Sequence, residues 1–445
     1  MPKGLRTLEF SFQDPTLTHF GGLVLLERFC QKLRLRAQLQ QLKALRQGQR
    51  DYAACDLILA LLYVLIAGLR RLSKTQLLHY NGTFKALMGM ERFPDPSSLR
   101  RFLRRLSPAG IRQVVRLHDR LRERLSGLPT ARSTLIFDLD SVVVTLYGHQ
   151  QGARVGYNPR RRGRRSYHPL LCFEARRHEF WHGSLRPGDA AGITGAVHFL
   201  RRCLAKVAST FPRARVRVRA DSSFFGGKLL GALESWGCGY AVVAREYPTL
   251  RRLARAAPFV NLAHGWGAAQ FSHQAHGWPW ARRFVVIRRP LPEDPNEARQ
   301  LRLFKDRRFA YQTLVTNLKL RPWRVYRFYL QRSTVEQTIR ELLHDLPLGQ
   351  IPSADWVANV AYFHLLMLAY NLVHWFKRLC LPAPYAAATV ETVRRDFLAV
   401  PGRLSHPGRR HVLQLPRDYP LRKQLVAAAR RLEKLRLAQK RRICK

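Results

Sequence analysis

The stretch that decides the fold is TLIFDLDSVVVTL, residues 134–146. Its side chains alternate, with Phe137 and Leu139 on one face and Asp138 and Asp140 on the other, which is the two-residue period of a β-strand. A carboxylate on an apolar strand is costly unless it is paired, solvated or bound to a metal. Two of them on one face predict a polar or metal site. Pairing with an arginine is the alternative. It is plausible for Asp138 alone and less plausible for both aspartates at once.

Two further acidic residues stand in comparable settings. Asp221 follows RVRVRA, residues 215–220, an alternating run typical of a strand. Glu336 opens a helix-like run, and if that helix extends back to Tyr329, then Tyr329, Arg332 and Glu336 share one face because they are three and four residues apart. The alternatives are a salt bridge at the strand end for Asp221 and a surface ion pair between Arg332 and Glu336.

The composition narrows the class of protein. The chain has 445 residues, 46% of them hydrophobic, which is enough for a folded core and two or three structural units. Its 78 Lys and Arg against 29 Asp and Glu give a formal net charge of +49. Such a charge predicts a polyanionic partner, nucleic acid first, because basic side chains release counterions condensed on phosphates. A ribosomal or packaging protein is the competing class, but 10% aromatic residues favour a folded catalytic body.

The cysteines and the apolar segments argue against other classes. The seven cysteines form no CxxC pair and are odd in number, so we expect neither a zinc knuckle nor a disulfide framework, and we predict a cytoplasmic protein. Residues 57–69 are apolar but too short to span a membrane, and residues 360–376 contain His364 and His374. We therefore predict two core helices and no membrane partner.

Two motif-like stretches are interpreted as chance matches. Residues 178–182 fit the zinc-protease pattern HExxH, but that chemistry needs a helix, and this stretch lies between a strand-like run and a turn region. In an extended chain the two histidines would stand about 13 Å apart, too far for one zinc. Residues 224–230, FFGGKLL, lack the first glycine and the Ser or Thr of a phosphate-binding loop, so no nucleotide cofactor is expected.

The period of the apolar residues divides the chain. In the first part of the chain the apolar residues recur every three or four positions, as in a helix. Residues 1–130 are therefore predicted to form a helical N-terminal domain, which we expect to bind DNA. Residues 131–400 are predicted to form an α/β or α+β core, interrupted at about 245–325 by a mainly β insertion. Residues 401–445 are predicted to be a basic segment that contacts DNA. The predicted core strands are residues 168–175, 215–220 and 240–244. The predicted helices are residues 192–207 and 226–236, one from about residue 333, and one at residues 355–379.

Two basic stretches are candidate DNA contacts. Residues 94–105 end in a predicted helix with four arginines, which could lie along a phosphate backbone or in a major groove, although a solvated basic face is an equal alternative. Residues 152–165 form a glycine-containing loop soon after Asp140, for which we favour DNA contact over a solvated loop. The arginines of the helix are Arg100, Arg101, Arg104 and Arg105, and those of the loop are Arg160, Arg161, Arg162, Arg164 and Arg165.

Taken together, these features resemble the DDE transposases of bacterial insertion sequences, specifically the transposase DDE domain group 1 type. The resemblance covers nearly the whole chain, and its most specific part is the block FDLDSVVVTLYGHQQGARVGYNPRRRGRRSYHPLL at 137–171. The other stretches that carry it are GGLVLLERF at 21–29, ERFPDPSSLRRFL at 91–103, RADSSFF at 219–225, LVTNL at 314–318 and the Tyr329–Arg332–Glu336 spacing.

The resemblance implies a fold and a catalytic site. The core would have the ribonuclease-H-like, retroviral-integrase fold. Asp140, Asp221 and Glu336, separated by 81 and 115 positions, would be the catalytic triad that binds two Mg²⁺ ions, with Mn²⁺ able to substitute. Tyr329 would position a strand end. Arg332 would bind phosphate near the cut. Relatives make a further DNA contact through a lysine seven positions after the glutamate, for which Arg340, one helical turn beyond Glu336, could substitute.

The implied function is cleavage and strand transfer at the terminal inverted repeats of an insertion sequence. The implied partners are double-stranded repeat and target DNA, bound by a homodimer in the bacterial cytoplasm, associated with the nucleoid. One residue departs from the pattern, because relatives carry a lysine seven positions after the glutamate and this chain has Leu343. A catalytically impaired or repurposed sequence-specific DNA-binding protein is therefore the alternative. A stand-alone nuclease of the same fold is another.

Overall fold

The computed structural model describes residues 13–45, 52–79, 81–125, 133–291, 309–405 and 412–437. The chain divides into two compact units. One contains residues 1–126 and 341–445, and the other contains residues 127–340. The domain boundaries predicted from the sequence, at residues 130/131 and 400/401, remain predictions.

The N-terminal part of the first unit is almost entirely helical, in agreement with its three- and four-residue apolar spacing. Its longest apolar helix is buried along nearly its whole length, which confirms the prediction of a core helix for residues 57–69. The elements are β1 Leu17–Thr18, α1 Leu23–Lys32, α2 Leu35–Gln40, α3 Ala54–Ile66, α4 Gln76–His79, α5 Gly82–Leu87, α6 Pro96–Arg105 and α7 Pro108–Leu125, with 3-10 turns at Lys43–Leu45 and Leu72–Thr75.

The second unit alternates strands and helices. Its strands are β2 Thr134–Ser141, β3 Val144–Thr145, β4 Arg154–Val155, β5 Arg165–Tyr167, β6 Leu170–Glu174, β7 Glu179–Ser184, β8 Arg215–Ala220, β9 Gly239–Val243, β10 Val260–Asn261, β11 Gly267–His273, β12 Arg282–Pro290 and β13 Phe309–Thr316. Its helices are α8 Ala196–Thr210, α9 Gly227–Ser235, α10 Pro248–Ala256, α11 Pro322–Leu330 and α12 Ser333–His344, with 3-10 turns at Ser222–Phe224 and Ala263–Gly265. The last four residues of α12, 341–344, belong to the first unit.

Nine of these strands form one mixed sheet in the order β10-β11-β12-β13-β9-β8-β2-β6-β7. Strands β2, β8 and β9 run parallel, and the other neighbours are antiparallel. Strand β2 is interior, and residues 135–140 are all buried. Its apolar face, including Phe137 and Leu139, joins a core cluster with α8 and α9. A mixed α/β architecture is therefore confirmed, and the ribonuclease-H-like assignment stays a prediction.

The predicted β-rich segment at about 245–325 extends this sheet. Strands β11, β12 and β13 form an antiparallel meander, and β13 pairs with β9 through Leu314 and Val243. The edge of β9 carries backbone donors and acceptors that need partners, which β13 supplies. The segment is thus continuous with the core sheet, and it also contains the helix α10. Residues 292–308, in the middle of the predicted insertion, lie outside the described residues.

The first unit is completed by the C-terminal part of the chain. Its elements are α13 Trp356–Cys380, a 3-10 turn Ala383–Ala387, α14 Val390–Val393, a π-helical turn Arg394–Leu398, β14 Gly402–Ser405, β15 Val412–Gln414 and α15 Arg422–Lys434, and β1, β14 and β15 form a small sheet. By length and composition alone α13 could cross a membrane, but 78% of its most apolar window is buried inside the protein. That burial is typical of a core helix. Within the predicted basic C-terminus, residues 406–411 and 438–445 lie outside the described residues.

Candidate active site

Asp140 and Asp221 stand at one edge of the sheet, on neighbouring parallel strands. In the ladder between β2 and β8, Asp138 is the direct partner of Arg219. Continuing this register by two residues brings Asp221 level with Asp140. Neighbouring strands lie about 4.8 Å apart, so both carboxylates belong to the same small region. The sheet register thus joins two residues that are 81 positions apart in the sequence.

Asp221 is held by the turn that follows its strand. It precedes the 3-10 turn at Ser222–Phe224, and its Oδ1 accepts hydrogen bonds from the backbone N–H and the hydroxyl of Ser223, at 2.9 and 2.6 Å. The strand-end salt bridge considered from the sequence does not involve Arg219, since that guanidinium pairs with Asp138. The carboxylate of Asp221 is therefore oriented by local backbone geometry.

Asp138 has a structural partner, as the alternative interpretation of this residue predicted. Arg219 donates to both of its carboxylate oxygens, from Nε at 2.6 Å and from Nη2 at 2.8 Å. Nη1 of Arg219 also donates to the carbonyl of Phe328 at 2.7 Å, and the guanidinium lies 5.1 Å from the centre of the Phe328 ring. Burial raises the pKa of Asp138, and the hydrogen bonds from Arg219 oppose that shift. The pair ties β2 and β8 to α11.

Asp140 is buried and surrounded by charge. Its Oδ1 accepts from the N–H of Ser141 at 2.7 Å, and its Oδ2 accepts from Nη2 of Arg332 at 2.8 Å. Burial raises the pKa of this carboxyl to about 6, Arg332 opposes the rise, and the charges of Asp221 and Glu336 add to it. The negative charges of the other two predicted triad members therefore act on Asp140.

The helix that carries Glu336 does not extend back to Tyr329. Helix α11 ends at Leu330, and α12 begins only at Ser333, after a tight turn in which the N–H of Arg332 donates to the carbonyl of Tyr329 at 2.8 Å. The turn nevertheless keeps the predicted residues together. Burial raises the pKa of Tyr329, Arg332 opposes the rise, and the carboxylates of Asp221, Asp140 and Glu336 add to it.

Arg332 pairs with Asp140, which argues against the alternative interpretation of a surface ion pair with Glu336. Its guanidinium is buried, and Nη2 donates both to Asp140 and to the carbonyl of Leu139, the latter at 3.0 Å. Burial lowers the pKa of Arg332, but Asp140 and other neighbours, including Tyr329, outweigh it and raise the value. Glu336 is exposed in the first turn of α12. Arg332 thus stabilises the ionised carboxylate of Asp140 from inside the protein.

The three carboxylates fit a divalent metal in chemistry but are not yet arranged as ligands. Carboxylate oxygens are the ligands that Mg²⁺ prefers. Burial, together with the charges of Asp221 and Glu336, raises the pKa of Asp140, and a nearby cation would oppose that rise. Within the described ranges, however, no three His, Cys, Asp or Glu side chains are close enough to hold a metal together.

The sequence matches a family model described as transposase DDE domain group 1, over residues 2–437. The chain belongs to this family. The family supports DNA transposition as the general function, and DDE transposases generally use divalent metal ions. Among solved structures, a cryo-EM structure of the piggyBac transposase synaptic complex with hairpin DNA is similar at a TM-score of 0.45 and 11% identity, covering 85% of this chain and 78% of that chain. No curated protein matches the sequence.

His168 and Arg186 of this transposase were not singled out from the sequence. Two hydrogen bonds join them: the backbone N–H of His168 donates to the carbonyl of Arg186, and the side-chain Nε of Arg186 donates to the carbonyl of His168, both at 2.9 Å. Burial lowers the pKa of His168, and the charge of Asp221 opposes that shift. Burial lowers the pKa of Arg186 to about 10. The sequence pointed to His168 only through its place in SYHPLL, residues 166–171, at the end of the block that most resembles the family.

The predicted DNA-contacting arginines of this transposase are on the surface. All five loop arginines, residues 160–165 apart from Gly163, are exposed, as are Arg340 and the four arginines of α6. The opposite face of α6 is buried through Leu99, Phe102 and Leu103. Leu343, at the position of the family lysine, is half-buried. DNA contact by these arginines remains a prediction.

The HExxH stretch of this transposase begins in a turn and continues in a strand. His178 occupies a turn with a φ of 55°, and Glu179–Ser184 is the edge strand β7. Neither histidine lies in a helix, which the two-histidine zinc arrangement of this motif requires. This agrees with the interpretation of the motif as a chance match.

Proposed function

We propose that this transposase cuts and joins DNA at the terminal inverted repeats of an insertion sequence, with Asp140, Asp221 and Glu336 holding two Mg²⁺ ions. The observation that carries the proposal is the coupling of the three carboxylates. Burial together with the charges of Asp221 and Glu336 raises the pKa of Asp140 to about 6. A buried carboxyl with a raised pKa, influenced by carboxylates from two other elements, is typical of a catalytic site. A bound cation would favour the ionised form of Asp140.

The residues around the triad have separate roles in this proposal. When bound, the metal ions activate water or a DNA 3′-hydroxyl and stabilise the departing oxygen. Arg332 holds Asp140 ionised in the free protein and donates to a DNA phosphate once the carboxylate turns away. Its Nε has no hydrogen-bond partner among the described residues, so it has a donor to spare. Tyr329, beside all three carboxylates, positions a DNA strand end.

DNA is held mainly by charge. The formal net charge of +49 favours phosphate contacts throughout, and the exposed arginines of α6 and of the 160–165 loop supply them. Helix α15 is also basic, with Arg431 and Lys434 in its last turn. Two copies of the chain would bridge the two ends of the element, and the order of the core strands supports the ribonuclease-H-like assignment of the catalytic unit.

The proposal is tested by cleavage of a labelled duplex that carries the terminal repeat of the element. The wild type is compared with Asp140→Asn, Asp221→Asn and Glu336→Gln, in Mg²⁺ and in EDTA. Glu246→Gln is the matched control, since its carboxylate is exposed and is 3.5 Å from Arg251. We expect metal-dependent cuts in the wild type and the control. Retained cleavage in any of the three site variants would remove that residue from the triad.

A DNA-binding protein without catalysis is the second candidate function. Two observations favour it: Arg332 is bonded to Asp140 Oδ2, and Leu343 replaces the family lysine. In that case the wild type binds the repeat duplex but leaves it uncut in both Mg²⁺ and Mn²⁺. Products of a strand-transfer reaction with an unlabelled target then separate a transposase from a nuclease, because a nuclease releases ends without joining them.

A further inference from the structure

A small sheet beside the acidic site exposes two tyrosines. Strands β3, β5 and β4 form this sheet, in that order. Tyr147 follows β3 and is 77% exposed, and Tyr157 follows β4 and is 73% exposed. Residues 144–167 contain six arginines and no acidic residue. Large aromatic side chains so open to solvent, within a stretch of one charge sign, indicate a binding surface.

The small sheet continues the strands that carry Asp140. Ser141 pairs with Leu170 at the end of β2, the N–H of Val142 donates to the carbonyl of Pro169 at 3.1 Å, and Val144 pairs with Tyr167 in β3 and β5. The pairing of β2 with β6 in the core sheet is therefore followed directly by the pairing of β3 with β5 in the small sheet. Tyr147 is seven residues from Asp140, a distance of at most about 25 Å along an extended chain.

The backbone around Tyr157 is fixed by close packing. A Cβ atom at Gly156 would collide with the carbonyl of Gly188, and a Cβ atom at Gly188 would collide with neighbouring backbone in the same way. Asn158 is buried, with Nδ2 donating to Thr145 Oγ1 and Oδ1 accepting from the N–H of Arg161, both at 3.0 Å. The tyrosine is thus presented by an ordered loop, which lowers the entropy cost of binding a ligand.

We propose that this small sheet binds an unpaired stretch of DNA beside the acidic site, with Tyr147 and Tyr157 stacking on bases. The inference rests on the proposed function for its place in the reaction. The faces of bases inside a duplex are covered by their neighbours, so exposed aromatic rings find partners only on unpaired bases or at an open end. The surrounding arginines, Arg160 to Arg162, Arg164 and Arg165, contact the phosphates of the same strand.

The test measures equilibrium binding of fluorescent DNA to the full chain carrying Glu336→Gln in EDTA, so that cleavage plays no part. The probes are a thymine-only single strand, an abasic strand with the same number of phosphates, and a blunt duplex. We expect Tyr147→Ala and Tyr157→Ala each to weaken thymine-strand binding about 5-fold to 100-fold, the range for loss of one base stack. Binding of the abasic strand should stay unchanged, and Tyr→Phe variants should bind as the parent does.

Two controls separate stacking from charge and from folding. Arg161→Ala should weaken binding of the thymine and abasic strands alike and reduce the salt dependence, because it removes a phosphate contact. Val260→Ala changes another exposed apolar residue, 68% exposed, on β10 and should have no effect. Melting temperatures equal to that of the parent show that the tyrosine variants are folded.

The inference is overturned if the folded Tyr147→Ala and Tyr157→Ala variants bind the thymine strand as tightly as the parent. It is also overturned if they lose equal affinity for the thymine and abasic strands. Neither result touches the proposed cleavage activity, which is measured separately on the repeat duplex. Conversely, an uncut duplex together with base-dependent loss in the tyrosine variants would reject the proposed catalysis and leave the binding surface in place.

Discussion

Substitution of the two aspartates of β2 should affect stability very differently. Asp138 accepts two charge-assisted hydrogen bonds from Arg219, and both residues are only 1% exposed. Asp138→Ala leaves the guanidinium buried without its carboxylate, and removing one member of a buried pair costs about 3–5 kcal/mol of unfolding free energy. For a unit the size of residues 127–340, we expect Tm to fall by about 6–20 °C.

Asp140 should behave differently because its charge is unfavourable in the metal-free protein. Its pKa is raised from 3.8 to about 6, so the proton is held more tightly in the folded state than in the unfolded state. The contribution of this residue to stability is therefore present below about pH 4 and is lost as the pH rises through about 6. At pH 7.5 we expect Asp140→Asn to leave the unfolding free energy within about 1 kcal/mol of wild type while abolishing cleavage.

The assay is calorimetry of the full-length variants in EDTA at pH 7.5, with urea unfolding as a second probe. The double variant Asp138→Ala/Arg219→Met tests the cause, because removing both charges from a buried pair is often close to neutral. We expect it to recover at least about 2 kcal/mol relative to Asp138→Ala. A cost below about 1 kcal/mol for Asp138→Ala, or no recovery in the double variant, would refute the assignment of Asp138 as a structural residue.

Three further predictions concern the metal, its arginine and the small sheet. Mn²⁺ binding should weaken about tenfold per pH unit below about 6, as protons compete for Asp140; calorimetric titration that finds constant affinity from pH 7 to pH 5 would contradict this. Arg332→Gln should tighten Mn²⁺ binding at pH 7.5 while slowing cleavage about 100-fold or more, and equal loss of both would reject its role as a competitor for Asp140. Gly156→Ala should lower the unfolding free energy by about 1–3 kcal/mol, as measured by thermal melting. The control is Gly349→Ala, where an added Cβ meets nothing within 4 Å. Equal stability of the two variants would contradict the close packing at Gly156.

Local sequence was enough to predict most core elements near the site. The strand predicted at 215–220 is β8 itself, and the helix predicted at 355–379 is Trp356–Cys380, with Asp355 as its cap accepting from the N–H of Ala358 at 2.7 Å. These elements have clear periods and end signals that depend only on neighbouring residues. The same reasoning placed residues 178–182 in an extended segment and so excluded a helical zinc motif.

Several features of the site followed only from contacts between distant parts of the chain. The sequence left open which aspartate pairs with an arginine, and the parallel register of β2 and β8 decides it by setting Arg219 opposite Asp138. The sequence pattern around residues 330–333 would also fit one continuous helix, so it does not reveal the break between α11 and α12. The side chain of Arg332 is buried because it pairs with the buried carboxylate of Asp140.

The sequence by itself therefore determined the element types, the family and the acidic residues worth testing. Tertiary structure alone decided that Asp138 pairs with Arg219, that Arg332 pairs with Asp140, and that β11, β12 and β13 extend the core sheet. The physical reason is that periodicity and capping are local free energies, whereas the pairing of buried charges and strand edges depends on which segments the fold brings together.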